Sequence, residues 1–155
     1  MRMIMSAAVA VVLVSSVVVL AAGTEVGTWK LNVAKSKYSP GPAPKSNTAK
    51  IEAWGDDGYK LTSNGTDAEG KPTHIEYAVK FDGKDVAIKG SPNSDTISAK
   101  RIDASTIETT SKKAGKVVMT IRSTVAKDGK TRTSVYTGKN AQGADVRNTA
   151  VYEKQ

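Results

Sequence analysis

The chain has 155 residues, no cysteine, one histidine and a formal net charge of +8. The lack of cysteine excludes a disulfide framework, and a single histidine makes a metal site a poor expectation. The charge is compatible with an anionic partner, but the lysines stand singly beside glycine and aspartate, as in solvated turns. We therefore expect no metal, no cofactor and no nucleic-acid partner.

The first element is an apolar leader at residues 1–22, with one charge, Arg2, and small residues at its end. This pattern predicts a secretory signal peptide, and hence a secreted or periplasmic protein. A retained membrane anchor is the alternative, because the apolar stretch at 7–22 is near the lower limit for spanning a bilayer. Removal of the 22 residues from the 155 leaves 133, at 23–155, with a charge of +7. That length fits one domain, for which we expect no stable membrane insertion.

The remaining chain is poor in residues that favour helices. Leu31, Leu61 and Met119 are its only leucines and methionine, whereas valine, isoleucine and threonine abound. β-Branched side chains lose rotamer freedom in a helix and suit a pleated surface. The composition therefore predicts a nearly all-β protein.

The clearest strand is THIEYAVKF at residues 73–81. Its odd positions, Ile75, Tyr77, Val79 and Phe81, are apolar, and the even positions starting at His74 are mostly polar. Successive side chains of a strand point to opposite faces. We expect one buried face and one solvent-facing face.

Similar segments recur along the chain, and with GTWKLN at 27–32 and TAKIEAW at 48–54 they give about ten strands. Tight turns such as Asp82-Gly83 and Asp128-Gly129 join most of them. The one long irregular link, residues 33–47, contains three prolines and has room for one helical turn near 34–37.

These features predict a single antiparallel up-and-down β-barrel, since closure removes the exposed edges of a large twisted sheet. A two-sheet sandwich is the alternative, but sandwiches usually contain longer crossover loops. An outer-membrane barrel is disfavoured because the second face of the strands is rich in lysine, glutamate and threonine.

The ends of the 23–155 region carry a resemblance to known families. GTWKL at 27–31 and VYEK at 151–154 resemble the two ends of the fatty-acid-binding proteins, and Gly27-Thr28-Trp29 resembles the Gly-x-Trp signature of the lipocalins. Both families belong to the calycin group of barrels, so the resemblance implies a calycin-like barrel with an internal ligand site. The chain also resembles small secreted bacterial proteins, a resemblance that names no activity.

The resemblance implies that Trp29 is a structural plug at the closed end of the barrel, covered by Arg122, Arg132 or Arg147. Two features differ from the fatty-acid-binding proteins. Residues 33–47 leave little room for their pair of lid helices, and their Arg-x-Tyr carboxylate anchor in the last strand corresponds here to Ala150-Val151-Tyr152. Because the arginine is missing, we expect a neutral ligand or none.

Aromatic residues along the strands are candidates for lining a cavity, with the protein core as the alternative role for each. His74 is placed on the solvent-facing side of its strand, and Asp56-Asp57 precedes a glycine as in a turn, so we assign no catalytic residue. The ligand-binding candidates are Trp54, Tyr59, Tyr77, Phe81, Arg122, Tyr136 and Tyr152.

The leading hypothesis is an exported, non-catalytic, monomeric protein that binds a small, mostly apolar ligand in the barrel. The alternative is an exported module that binds a protein or an anionic envelope polymer through its outer surface, motivated by the net charge. An enzyme is the third hypothesis, and its most obvious form would use His74 as the base. Fold alone does not decide among them.

Overall fold

The computed structural model describes residues 23–155, so the predicted signal peptide lies outside the described residues. These residues form ten β-strands and one 3₁₀ turn, at Val33–Lys35 in the predicted irregular link. Within them, no helix has the length and hydrophobicity needed to cross a bilayer. The strands are β1 Gly27–Leu31, β2 Ser46–Ala53, β3 Gly58–Thr66, β4 Pro72–Lys80, β5 Val86–Ala87, β6 Thr96–Arg101, β7 Thr106–Lys113, β8 Lys116–Val125, β9 Thr131–Lys139 and β10 Asp145–Lys154.

All ten strands belong to one antiparallel sheet with the order β4-β3-β2-β1-β10-β9-β8-β7-β6-β5. Chain neighbours pair with each other, and β1 also pairs with β10, which joins the two ends of the region. The remaining edges approach each other through isolated bridges from Glu76 to Lys89 and from Asp82 to Lys100. The result is a nearly closed up-and-down barrel, as predicted, and the sandwich alternative is wrong.

The alternation predicted for residues 73–81 is confirmed. Tyr77 and Val79 are buried in the core, and Ile75 and Phe81 pack against the same cluster. His74 lies on the exposed face. The period of two in the sequence therefore decides which face of β4 lies inside the barrel.

Trp29 is fully buried at one end of the barrel, which we call the closed end. Its Nε1 donates a hydrogen bond to the carbonyl oxygen of Glu25 at 2.8 Å. The Nζ of Lys154 lies 5.2 Å from the ring centroid, because β1 and β10 pair Trp29 directly with Lys154. The expectation that an arginine covers the indole is therefore wrong; the cation over it is a lysine.

An ion pair that was not predicted from the sequence also lies at the closed end. The carboxylate of Glu25 is buried, and it accepts hydrogen bonds from Arg101 Nη2 at 2.6 Å and Nη1 at 3.3 Å. The Arg101 guanidinium lies 4.1 Å from the centre of the Phe81 ring. Thr24 Oγ1 donates to the carbonyl of Ala104 at 3.1 Å. These contacts fasten the segment before β1 across the end of β6.

Candidate functional site

The barrel contains an internal cavity of about 390 Å³. Side chains from β2 to β4 and from β6 to β10 line it, and it reaches the loop before β6 at Ser91, Asn93 and Ser94. This loop lies at the end of the barrel opposite Trp29, which we call the open end. The volume is within the range of pockets that hold small organic molecules.

Four of the predicted cavity residues line this cavity: Tyr59, Tyr77, Tyr136 and Tyr152. They come from β3, β4, β9 and β10, and the side chain of each points into the barrel. The rings of Tyr59 and Tyr77 meet edge to face, with centroids 5.8 Å apart. Their contact with a ligand stays a prediction.

The other three predicted residues lie outside the cavity lining. Trp54 is in the turn between β2 and β3 and is 49% exposed. Phe81 packs at the closed end beside Tyr59, with ring centroids 5.6 Å apart. Arg122 is on the outer face, where its Nη2 donates to Glu108 Oε2 at 3.0 Å. Alternation along β8 explains the position of Arg122, because its neighbours Ile121 and Ser123 point inward and line the cavity.

Within the described residues, two cations line the cavity: Lys139, which is paired with Asp145 at 2.7 Å, and Arg132. Its Nη2 donates to Ser123 Oγ at 3.0 Å, and its guanidinium carbon lies 5.8 Å from the centre of the Tyr152 ring. Among residues 23–155 it has no carboxylate partner within 4.0 Å, whereas Arg101 and Arg122 each have one. The guanidinium is therefore half-buried without a counter-charge.

The position of Arg132 also bears on the absent anchor arginine of the last strand. Arg132 pairs directly with Tyr152 across β9 and β10, so a guanidinium does lie beside this tyrosine, supplied by the neighbouring strand. In the segment TRTSVYTG, Arg132 shares its parity with Tyr136, and this signal could have placed it inside the barrel. The prediction of a neutral ligand considered only the missing arginine of β10 and not the arginine of the neighbouring strand β9.

The tyrosine hydroxyls near Arg132 are hydrogen-bond donors. The hydroxyls of Tyr59 and Tyr77 are 3.2 Å apart, and Asn47 Nδ2 donates to the Tyr152 hydroxyl at 3.3 Å. Burial raises the pKa of Tyr59, and it raises the pKa values of Tyr77 and Tyr152 well above the usual value. These phenols therefore keep their protons at neutral pH. Together with Arg132 they form a donor-rich floor of the cavity.

The remaining polar candidates lie outside the cavity. The Nδ1 of His74 donates a 2.7 Å hydrogen bond to Asn64 Oδ1, and its Nε2 lies 3.8 Å from Glu76 Oε2. Asp56 and Asp57 are in the turn between β2 and β3. In the described part of the chain, no group of three or more His, Cys, Asp or Glu side chains could hold a metal ion.

No protein-family model and no curated protein matches this chain. Solved structures that share its fold include a bile-acid-binding protein and a redesigned β-barrel. A zebrafish ileal bile-acid-binding protein, solved in complex with cholic acid, aligns with a TM-score of 0.53 at 14% identity over 85% of this chain and 99% of its own. A redesigned β-barrel aligns with a TM-score of 0.50 at 12% identity over 85% and 92%. The chain thus shares the antiparallel up-and-down barrel fold of these two structures.

Proposed function

We propose that this protein is an exported binding protein that holds a small, mostly apolar molecule with one anionic group inside the barrel. The observation that carries the proposal is an internal cavity of about 390 Å³ whose wall contains Arg132, an arginine with no carboxylate partner among residues 23–155. The aliphatic side chains of the cavity supply the apolar contact surface. Arg132 and the tyrosine hydroxyls supply the polar end.

The charge of Arg132 favours an anionic group over a neutral one. A half-buried guanidinium has lost part of its hydration, and without a carboxylate nearby that loss is not compensated within the described residues. An ionised acid would compensate it through charge-assisted hydrogen bonds. The neutral Tyr152 hydroxyl beside it would add a further donor, which suits a group that only accepts hydrogen bonds.

The comparison with the zebrafish protein supports the same class of ligand. That protein has this fold and was solved with cholic acid bound, which is a carboxylic acid on a hydroxylated hydrocarbon ring system. The leader at residues 1–22 supports export, and a periplasmic or secreted location follows from that proposal.

Binding of dodecanoic acid and of dodecanol, measured by displacement of a fluorescent probe, tests this proposal. We expect the wild-type protein to bind the acid more tightly, and Arg132→Met to weaken acid binding roughly 10- to 100-fold while changing alcohol binding little. Arg122→Met, on the outer face, is the matched control and should bind both as the wild type does. Equal binding of acid and alcohol, or an unaffected Arg132→Met variant, would contradict the role of Arg132.

A further inference from the structure

Two polar side chains that were not predicted as ligand-binding residues line the cavity beside Tyr152. Asn47 on β2 and Ser63 on β3 are both half-buried. Ser63 Oγ donates a hydrogen bond to Asn47 Oδ1 at 2.7 Å, and Asn47 Nδ2 donates to the Tyr152 hydroxyl at 3.3 Å. The two bonds connect β3 and β2 to β10 across the buried Leu31 of β1, which pairs with Tyr152. Tyr152 in turn pairs with Arg132 on β9.

The orientation of the Asn47 amide decides the direction of both hydrogen bonds. A carboxamide accepts through its oxygen and donates through its nitrogen, so only one of the two atoms faces Tyr152. The 2.7 Å contact with Ser63 is typical of a hydroxyl that donates to an oxygen, and the longer contact with Tyr152 suits an N–H donor. The distances therefore match an amide oxygen toward Ser63 and an amide nitrogen toward Tyr152.

An amide nitrogen in this position makes the Tyr152 oxygen an acceptor and leaves the one proton of the phenol for another group. Burial, with the neighbouring Tyr136 as a second cause, raises the pKa of Tyr152 well above its usual value, so the phenol keeps this proton at neutral pH. Arg132 cannot accept it, because a guanidinium has no acceptor atom. An anion is a stronger acceptor than the neutral Tyr136 hydroxyl. The proton is therefore available to an anionic group held at Arg132.

We infer that Asn47, fixed by Ser63, is a positioning residue that keeps Tyr152 a hydrogen-bond donor toward the anionic group of the ligand. This inference rests on the proposed function and identifies the residues that strengthen its preference for an acid over an alcohol. Arg132 supplies the charge, and Asn47 sets the direction of the phenol beside it. If the amide oxygen faced Tyr152, it would accept the phenol proton, and the ligand would meet a hydroxyl oxygen instead of a donor.

Asn47→Leu tests this role, because leucine is close to asparagine in shape and forms no hydrogen bond. Probe displacement is measured on full-chain protein in its naturally processed form. We expect dodecanoic acid to bind roughly 3- to 10-fold more weakly, and dodecanol binding to change by less than about twofold. Ser63→Ala leaves Asn47 and Tyr152 in place but frees the amide to turn, and should weaken acid binding roughly 2- to 3-fold. It carries the test if Asn47→Leu does not fold.

A double-mutant cycle separates positioning of the phenol from direct contact between Asn47 and the ligand. In a Tyr152→Phe background there is no phenol to orient, so Asn47→Leu should change acid binding by less than about twofold. The matched control is Asn64→Leu, the same substitution at an exposed position on the outer face of β3. It should leave the binding of the acid and of the alcohol unchanged.

The outcomes separate this inference from the proposed function. Equal losses for acid and alcohol, or a loss of full size in the Tyr152→Phe background, would overturn the positioning role of Asn47 while the proposed function stands. Unchanged acid binding in Asn47→Leu, or in Ser63→Ala where it carries the test, would do the same. If the wild-type protein binds neither compound, the proposed function fails and takes this inference with it.

Discussion

The closed end and the open half of the barrel are built by the same strands but filled differently. At the closed end, the Trp29 indole and the Glu25–Arg101 pair beside Phe81 occupy the interior. Further along the same barrel, short side chains such as Thr109 and Ser111 leave a cavity. Alternation decides which residues point inward, and their size decides whether the interior is packed or hollow. Stability should therefore depend on one end, and binding on the other.

The largest expected effect is at the plug. Trp29→Ala removes a fully buried indole and should lower the free energy of unfolding by about 3–5 kcal/mol, or prevent folding altogether. Trp54→Ala removes the same side chain from a turn where it is 49% exposed, and should change stability by less than about 0.5 kcal/mol. Urea unfolding followed by circular dichroism measures both. Similar losses for the two variants would contradict the distinction between a packed end and an exposed turn.

The second effect concerns the ion pair at the closed end. Glu25→Ala leaves the Arg101 guanidinium without its buried partner, and since Arg101 is itself 30% exposed we expect a loss of about 2–4 kcal/mol. The matched variant Glu108→Ala breaks the more exposed pair with Arg122 and should cost at most about 0.5 kcal/mol. Chemical denaturation of both variants at neutral pH measures the two losses in the free energy of unfolding. A Glu25→Ala protein as stable as Glu108→Ala would show that the closed end is not fastened by this pair.

The third effect is a pH dependence that comes from the cavity side. Burial raises the pKa of Tyr77 in the folded protein well above its usual value. As the pH rises, Tyr77 therefore ionises at a lower pH in the unfolded chain than in the folded protein. Its contribution to stability is fully present below about pH 10 and is lost as the pH rises above it, by about 1.4 kcal/mol per pH unit. Between pH 10 and 11.5 the free energy of unfolding of the Tyr77→Phe variant should therefore fall less steeply than that of the wild type, by that amount. An unchanged slope would mean that Tyr77 is not shielded from solvent.

The smallest effect lies in the β7–β8 turn, which is at the rim of the open end but outside the cavity lining. Ala114 N donates there to Asp95 Oδ2 at 2.9 Å. Ala114 has a φ of 47°, a left-handed conformation that is unfavourable for alanine. Ala114→Asn should raise the free energy of unfolding by about 0.5–1 kcal/mol, because Asn-Gly suits such a two-residue hairpin turn. Ligand binding should not change. A destabilised Ala114→Asn protein in thermal unfolding would contradict the assigned turn geometry.

Much of the fold could be predicted from the sequence because it depends on local patterns. The alternation of Ile75, Tyr77, Val79 and Phe81 and the glycine turns depend on neighbours within a few residues. The closed-end pair could not be predicted, since Glu25 and Arg101 are 76 residues apart and meet only when β6 reaches the end of the barrel.

The site was only partly predictable for a related reason. Aromatic character selected Tyr59 and Tyr77, but it also selected Trp54, whose place in a turn removes it from the cavity. Alternation along each strand places Arg122 on the outer face and Arg132 in the cavity wall. The resemblance of the two ends of the chain to a family does not show which arginine points inward. Where the interior stays hollow depends on side chains from many strands at once, so no single segment shows it.

The central claim is that an acid binds inside the barrel with its charged group at Arg132. A crystal structure with 12-bromododecanoic acid tests it directly, because anomalous scattering from bromine locates the tail. We expect the carboxylate within hydrogen-bonding distance of the Arg132 guanidinium and the bromine toward Ser91 and Ser94 at the open end. A ligand bound on the outer face, or crystals grown with the acid that show an interior without it, would contradict the account.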